Sequence, residues 1–220
     1  MSEKTFGPFE LLAAHKGDVP ANFIAHRRIA AAMQQLAERL IRAEASQAEL
    51  EQWAAALEQL AETVGQPERR DTRAANRRVF SGAATAADIF DMMDFDPAGG
   101  LSNPVSPPLR FIKETPEGVE AEVYLGLHYQ GPPGRVHGGV IAMLLDAVLS
   151  RAMHASFKIG VTGTLNVRYL AGTPIETTVR FTARLREMDG RKMFIEGGVF
   201  AGEEQTVQAE GIFLQPRFGR

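Results

Sequence analysis

Hydrophobic residues recur along the first part of the chain with the spacing of a helix. The first stripe consists of Ile29, Met33, Leu36 and Leu40, and the second of Leu50, Trp53, Leu57, Leu60 and Val64. Steps of three and four residues place each stripe on one face of an amphipathic helix. Ser46 followed by Glu49 fits a capping box at the start of the second helix, and Gly65 is a natural end. We therefore predict a helical hairpin over residues 25–65, with a role in packing or oligomerisation.

The last half of the chain alternates between apolar and polar residues, as strands do. From residue 119 to residue 127 every odd position is apolar, with Glu120 and Glu122 between them. The alternation returns at 161–169, 175–186, 193–201 and 206–214, with turn signals at Asp189-Gly190 and Gly202-Glu203. Together with one long apolar helix, this pattern predicts an α+β domain over residues 108–216, and more than one fold of that class satisfies it.

Two segments carry neither pattern. Residues 1–24 contain the breakers Gly7, Pro8, Gly17 and Pro20, so we expect a loosely structured N-terminus. Residues 66–107 are expected to form an irregular linker or a lid. Adjacent methionines in this segment, Met92 and Met93, have flexible side chains that suit an apolar ligand.

One carboxylate lies inside the most apolar helical segment. Residues 139–149 are apolar except for Asp146, which predicts a buried helix. Because an unpaired buried carboxylate is costly, Asp146 needs a specific role. A structural hydrogen bond to a neighbouring strand is one interpretation, but the surrounding sequence favours a chemical role. Ser150 follows four residues later and therefore lies on the same helix face.

The same helix begins at His137, Gly138 and Gly139. Unpaired backbone N–H groups and the positive end of the helix dipole occur at such a start, and glycine allows a ligand to approach closely. The arrangement suits an oxygen that gains negative charge during acyl transfer. With Asp146 two turns further along and expected to face the same small volume, the segment holds a minimal set of hydrolase groups. His137 is expected to shape the loop rather than to act as acid or base.

At these residues the chain resembles the hotdog-fold acyl-CoA thioesterases, in particular the PaaI-like and 4-hydroxybenzoyl-CoA thioesterase group. The resemblance runs from near Pro107 to near Pro216. It is carried by the motif Gln-Gly-Pro-Pro-Gly-Arg-Val-His-Gly-Gly from Gln130 to Gly139, with an acidic residue nine positions after the histidine. It implies a curved antiparallel sheet wrapped around a long central helix. It also implies a site between two subunits, and hence a homodimer or a dimer of dimers.

The resemblance also implies roles for individual residues. Asp146 corresponds to the catalytic carboxylate, Gly138 to the backbone N–H that polarises the thioester carbonyl, and Ser150 to the hydroxyl that positions water. Gln130 is expected to contact substrate or water, and His137 and Gly139 to line the substrate site. The implied reaction converts an acyl-CoA to a free acid and coenzyme A without a cofactor, with Asp146 either activating water or attacking the carbonyl itself.

Basic residues are candidates for contacts with the phosphates of coenzyme A. Arg168, Arg191 and Lys192 are the candidates within the sheet, with solvated surface charges as the alternative of similar weight. A second cluster comprises Arg69, Arg70, Arg73, Arg77 and Arg78, interleaved with Glu68 and Asp71. For this cluster a solvated helix face or linker is the favoured interpretation.

Two other function classes are compatible with such a fold. The usual signature of a hotdog hydratase or dehydratase resembles an Asp followed five residues later by a His. This chain instead has Arg151 at that distance from Asp146. A non-catalytic acyl-CoA-binding or scaffold protein would keep the pocket without needing Asp146. Thioester hydrolysis accounts for more of the motif than either alternative.

Composition narrows the remaining possibilities. The formal net charge of −3 and the lack of a basic helix disfavour nucleic acid as a partner. The chain has no cysteine, which excludes a disulfide framework and thiolate metal sites, and its five histidines are scattered without metal-ligand spacing. We expect no metal, no membrane partner and a cytoplasmic location.

Overall fold

The computed structural model describes residues 18–68 and 70–215, which form five α-helices and six β-strands. The helices are α1 (Ala21–Arg42), α2 (Gln47–Val64), α3 (Thr72–Ser81), α4 (Ala86–Met93) and α5 (Gly138–Ala155). The strands are β1 (Arg110–Thr115), β2 (Gly118–Leu125), β3 (Val161–Tyr169), β4 (Thr177–Asp189), β5 (Lys192–Ala201) and β6 (Glu204–Leu214). A short 3₁₀-helix, Leu127–Tyr129, precedes the motif.

The six strands form one antiparallel sheet in the order β1-β2-β4-β5-β6-β3, and α5 packs against every strand. The α+β architecture with a central helix against an antiparallel sheet is therefore confirmed. Strand β3 follows α5 in the chain. It lies at one edge of this sheet because it pairs with β6 alone.

The core of the domain lies between α5 and the sheet. Ile141, Leu144, Leu145, Val148 and Leu149 are buried on the helix, as its uniformly apolar sequence predicts. This 18-residue helix has the length and hydropathy of a membrane span, although the sequence predicted no membrane partner. The helix packs against all six strands, so its apolar residues form part of the core of the domain.

Several predicted boundaries were wrong. The first helix begins at Ala21 rather than residue 25, directly after Pro20. The rest of the predicted loose N-terminus, residues 1–17, lies outside the described residues. The segment 66–107 is not simply irregular, because it contains α3 and α4. Asp71 caps α3, and Thr85 with Asp88 forms a capping box on α4. Asp71, and Thr85 with Asp88, are the sequence signals from which both helices could have been predicted.

Two arginines of the basic cluster form contacts within the protein, and Arg69 lies outside the described residues. Arg78 forms an ion pair with Asp88 on α4, while Arg70 lies 3.5 Å from Asp91 and stacks over the ring of Phe95 at 3.4 Å. These contacts hold α3 and α4 against each other and against the following loop. They support the structural interpretation rather than phosphate binding.

Helices α1 and α2 follow one another as predicted, and Ser46 and Glu49 form the capping box. The two helices differ in their packing. No residue of α2 is buried, and Leu50, Leu57 and Leu60 are exposed. Packing or oligomerisation through α2 therefore stays a prediction.

Helix α1 instead makes polar contacts with segment 66–107 and with the 3₁₀-helix of the sheet domain. Arg27 Nε donates to Asp94 Oδ2 at 2.9 Å, and Gln34 donates to the carbonyl of Ser106 at 2.7 Å. Glu38 Oε2 lies 2.7 Å from His128 Nδ1 and accepts from the His128 backbone N–H at 3.3 Å. Since His128 immediately precedes the motif loop, α1 supports the segment that leads to the start of α5.

We expect the Glu38 contact to stabilise the protein in a pH-dependent way. Burial alone would raise the pKa of Glu38, but hydrogen bonds from His128, the 3₁₀-helix backbone and Arg42 together lower it from its usual 4.5 to about 2. A lowered carboxyl pKa stabilises the fold above the unfolded-state pKa, and this stabilisation disappears as pH falls toward the folded-state pKa. Glu38→Gln should therefore be destabilising at pH 7, with the difference from wild type shrinking between about pH 5 and pH 2.

Urea denaturation across that pH range measures this difference. Glu44→Gln, at an exposed position after α1, is the matched control and should follow the wild-type curve. A Glu38→Gln deficit that stays constant with pH would show that the carboxylate charge does not hold α1 in place.

Candidate active site

Helix α5 begins with a histidine cap that leaves one backbone donor free. His137 is the N-cap residue, and its Nδ1 accepts from the Gly139 N–H at 3.0 Å. The His137 carbonyl accepts from the Val140 N–H at 3.0 Å. Within the described part of the chain, the Gly138 N–H has no acceptor. Gly138 therefore carries the available donor at the positive end of the helix dipole.

A side chain would be crowded at both glycines that begin α5, but by different neighbours. A Cβ on Gly139 would lie 3.1 Å from His137 Nδ1 and would crowd the cap. A Cβ on Gly138 would lie 3.2 Å from the Tyr169 hydroxyl, which donates to the Gly138 carbonyl at 2.7 Å. His137 was predicted to shape this loop, and in the structure it caps the start of the helix. Accepting from Gly139 requires Nδ1 to be unprotonated.

The Asp146 carboxylate is partly buried two turns along α5. Its Oδ1 accepts from the Thr162 hydroxyl at 2.8 Å. Among the described residues Oδ2 has no hydrogen-bond partner. The carboxylate is thus held by one oxygen and offers the other to a ligand. Thr162 was missed from the sequence, because a threonine on an alternating strand carries no signal of its partner.

Asp146 and Ser150 line one cavity of about 390 Å³. Its apolar lining includes Met92, Met93, Pro97, Phe111 and Met143. Its polar lining comprises Asp96, Asp146, Ser150, Arg151 and His154. The spacing of four residues places Asp146 and Ser150 on the same helix face, as predicted, and α4 with the loop after it forms the facing wall.

The other predicted contact residues are spread around this centre. Gln130 Oε1 accepts from the Gly134 N–H at 3.0 Å, so this side chain shapes the motif loop. Arg168 is exposed on β3, next to Tyr169. Arg191 donates through Nε and a terminal nitrogen to the Gln215 carbonyl, at 2.9 and 2.6 Å, and Lys192 is exposed beside it.

The structure does not bring the three basic candidates together. Arg168 pairs with Gln208 on β6, whereas Lys192 pairs with Leu214 on the same strand. Six residues of strand separate these positions by about 20 Å. One coenzyme phosphate group therefore cannot contact both within one subunit. Within residues 18–68 and 70–215, no cluster of three or more His, Asp or Glu side chains could hold a metal ion.

Comparison with known proteins shows which family this part of the chain is similar to. The model of the thioesterase superfamily matches residues 133–208, which include Gly138, Asp146 and Ser150. A solved structure of a thioesterase superfamily protein is 32% identical, with a TM-score of 0.70, and the match covers 86% of this chain and 94% of that one.

Curated relatives match over a shorter region. Mouse acyl-coenzyme A thioesterase THEM4 is 35% identical over 89 residues, which are 40% of this chain and 38% of the relative. Human acyl-coenzyme A thioesterase THEM5 is 29% identical over 92 residues, 41% of this chain and 37% of the relative. The chain thus aligns with less than half the length of these relatives.

Proposed function

The chain belongs to the thioesterase superfamily, and we propose that it hydrolyses an acyl-CoA thioester to a free acid and coenzyme A. The proposal is carried by two groups on α5 that have no hydrogen-bond partner among the described residues, the Gly138 N–H and Asp146 Oδ2. Asp146 also lines a largely apolar cavity that suits an acyl chain. The similarity to the acyl-coenzyme A thioesterases THEM4 and THEM5 supports an acyl-CoA substrate.

Each group has a defined task in the proposed reaction. The Gly138 N–H and the helix dipole stabilise the negative charge that develops on the carbonyl oxygen. Asp146 Oδ2 takes a proton from an attacking water, or attacks the carbonyl carbon itself, while Thr162 holds Oδ1. Ser150, one turn away on the same face, is placed to hydrogen-bond the water. With water as the nucleophile, loss of the coenzyme A thiolate, which takes up the proton from Asp146, completes hydrolysis. With Asp146 as the nucleophile, loss of the thiolate leaves an anhydride on Asp146, and a water must then hydrolyse it to the free acid and the regenerated carboxylate.

One subunit cannot bring both groups to the same carbonyl. Gly138 and Asp146 are eight residues apart on one helix, which separates them by about 12 Å along its axis. The reacting carbon must lie within about 3.5 Å of the attacking oxygen while its carbonyl oxygen reaches the N–H. We therefore infer that Asp146 of one subunit acts together with Gly138 of the partner subunit.

The edge strand β3 is the surface that fits this assembly. Thr162 near its start contacts Asp146, and Tyr169 at its end contacts Gly138. Antiparallel pairing of two β3 strands about their middle places Asp146 of each subunit beside Gly138 of the partner subunit. Pairing also covers a nine-residue edge whose side chains are mostly exposed.

We expect the protein to be at least a dimer at micromolar concentration. Because the proposed site needs two subunits, specific activity should fall on dilution as the assembly dissociates. Analytical ultracentrifugation at the assay concentrations, alongside rate measurements, tests this. A strictly monomeric species that keeps full specific activity would contradict the shared site.

A panel of acyl-CoA esters with a thiol-reactive dye tests the proposed activity. The protein has no cysteine, so the dye reports only released coenzyme A. We expect enzyme-dependent thiol release from at least one ester. Tight binding of every ester without release would favour the non-catalytic scaffold alternative.

The cytoplasmic location stays a prediction, which a fluorescent fusion in the native organism tests.

A further inference from the structure

Helix α2 carries an apolar stripe that little else in the described chain covers. The stripe consists of Leu50, Trp53, Leu57, Leu60 and Val64, which follow one another in steps of three and four residues, as the contact positions of a coiled coil do. Trp53 is half-buried, whereas Leu60 and Val64 are 59% and 64% exposed. Because a helix in water owes most of its stability to the packing of its apolar face, α2 is expected to have a partner on this stripe.

Helix α1 covers only one end of the α2 stripe. Where the two helices meet, they line an apolar cavity of about 370 Å³, with Leu36, Leu40, Trp53 and Leu57 among its residues. Further from their connection, Ile29 and Met33 of α1 are exposed, and so is the second half of the α2 stripe. The two helices therefore do not cover each other there, and their stripes present one apolar surface to a further partner.

This apolar surface is large enough for a stable interface. Its exposed large residues, here called the hairpin surface, are Ile29, Met33, Leu36, Leu50, Leu57, Leu60 and Val64, each at least 37% exposed. Together they expose roughly 700 Å², which exceeds the ~300–600 Å² of the largest apolar patch on a typical monomer. It is close to the ~800 Å² that each partner buries in a stable complex. The area therefore fits a protein partner of substantial size.

The order of residues along α2 suits a second copy of the same helix. In an antiparallel pair, Leu57 of each copy can face Leu60 of the other, and Trp53 can face Val64, so that both stripes are covered along one seam. Alanines border the stripe, at Ala54, Ala56 and Ala61. These small side chains allow two helices to approach closely. The stripe of α2 is thus complementary to itself.

The charges of α2 favour a second copy over a membrane surface. Its side opposite to the stripe carries Glu51, Glu58 and Glu62, and the helix has no basic residue. Two stripes can pack while these carboxylates stay in water, so the contact brings no like charges together. Helices that lie on membranes instead have basic polar faces, and an anionic lipid surface would repel these glutamates.

We propose that the hairpin surface binds the hairpin surface of a second copy, with the two α2 helices antiparallel at its centre. The surface shares no residue with β3, so this contact is separate from the pairing of β3 edges and doubles the assembly that β3 forms. The inference goes beyond the proposed hydrolysis and does not depend on it, because association is measured without substrate.

A charge in the centre of the contact tests the association. Leu60→Glu introduces two carboxylates for each pair of copies, so association through the hairpin should weaken at least about a hundredfold. The mass in sedimentation at micromolar concentration should then be halved. Gln59→Glu is the matched control, because it adds the same charge at the neighbouring, outward-facing position of α2. This variant should sediment as the wild type does.

Cross-linking tests the antiparallel geometry without a charge in the contact. Because the chain has no cysteine, a short bismaleimide links only introduced thiols. Leu57→Cys lies near the two-fold axis and should give a covalent dimer. Gln47→Cys lies more than about 20 Å from its counterpart along the paired helices and should not.

Three results would overturn the assignment. The first is a mass that Leu60→Glu leaves unchanged, and the second is a Leu57→Cys protein that stays unlinked or links no better than Gln47→Cys. The third is binding to phosphatidylcholine vesicles that Leu60→Glu abolishes without any change in mass, which would assign the surface to a membrane instead.

Discussion

Replacing Asp146 with asparagine should lower kcat by on the order of a thousandfold or more. Asparagine has nearly the same size, and its amide oxygen can still accept the Thr162 hydrogen bond. It cannot take a proton from water or attack a thioester as a carboxylate does. Because Asp146 is the only carboxylate on α5, no neighbour on that helix can replace it.

The measurement is thiol release by purified Asp146→Asn, with circular dichroism to establish that the variant is folded. Asp96→Asn is the matched control, since Asp96 lines the same cavity and its Oδ1 accepts from the Ala98 N–H at 2.7 Å. An amide oxygen retains that acceptor role, so Asp96→Asn should cost less than about tenfold. Near-wild-type turnover by folded Asp146→Asn would refute the assigned chemistry.

Removing the Gly138 N–H should cause the second large loss, of about a hundredfold to a thousandfold in kcat. Proline has no backbone N–H and is favoured at the first position of a helix, which Gly138 occupies. His137 before it is already extended, with φ −62° and ψ 129°, as a residue preceding proline must be. Gly138→Pro therefore removes the donor while the helix can still begin at the same residue.

Gly138→Ala separates this loss from simple crowding. Alanine keeps the N–H but adds the same Cβ near the Tyr169 hydroxyl, which lies on a half-exposed side chain that can shift. The ratio of the two variants' kcat values, measured under saturating ester, reports the contribution of the donor. Equal activity of the proline and alanine variants would show that the Gly138 N–H does not stabilise the reacting oxygen.

The sequence predicted those parts of the site that depend on local periodicity. The four-residue spacing of Asp146 and Ser150 places them on one helix face whatever surrounds the helix, and both line the same cavity. Thr162 was not predictable, since its contact joins residues 16 positions apart through the path of β3. The Glu38–His128 contact spans 90 positions and depends on how α1 docks.

Helical periodicity gave one wrong expectation for the site. The sequence suggested that Gly138 and Asp146 face the same small volume, but eight residues of helix separate them by about 12 Å. A pattern along one chain gives distances within that chain and contains no information on how a second copy packs. The different packing of α1 and α2 was not predictable either, because two similar apolar stripes do not reveal that α1 has buried residues and α2 has none.

Mixing two inactive variants tests the shared site most directly. Asp146→Asn and Gly138→Pro subunits are combined in equal amounts and allowed to exchange, and thiol release is followed. In a mixed dimer one site carries both lesions while the other has an intact Asp146 and an intact Gly138 from opposite subunits. Random exchange should therefore restore about a quarter of wild-type activity. If subunit exchange is demonstrated by mass and activity stays at the level of the separate variants, the two groups do not meet across subunits, and the proposed site is wrong.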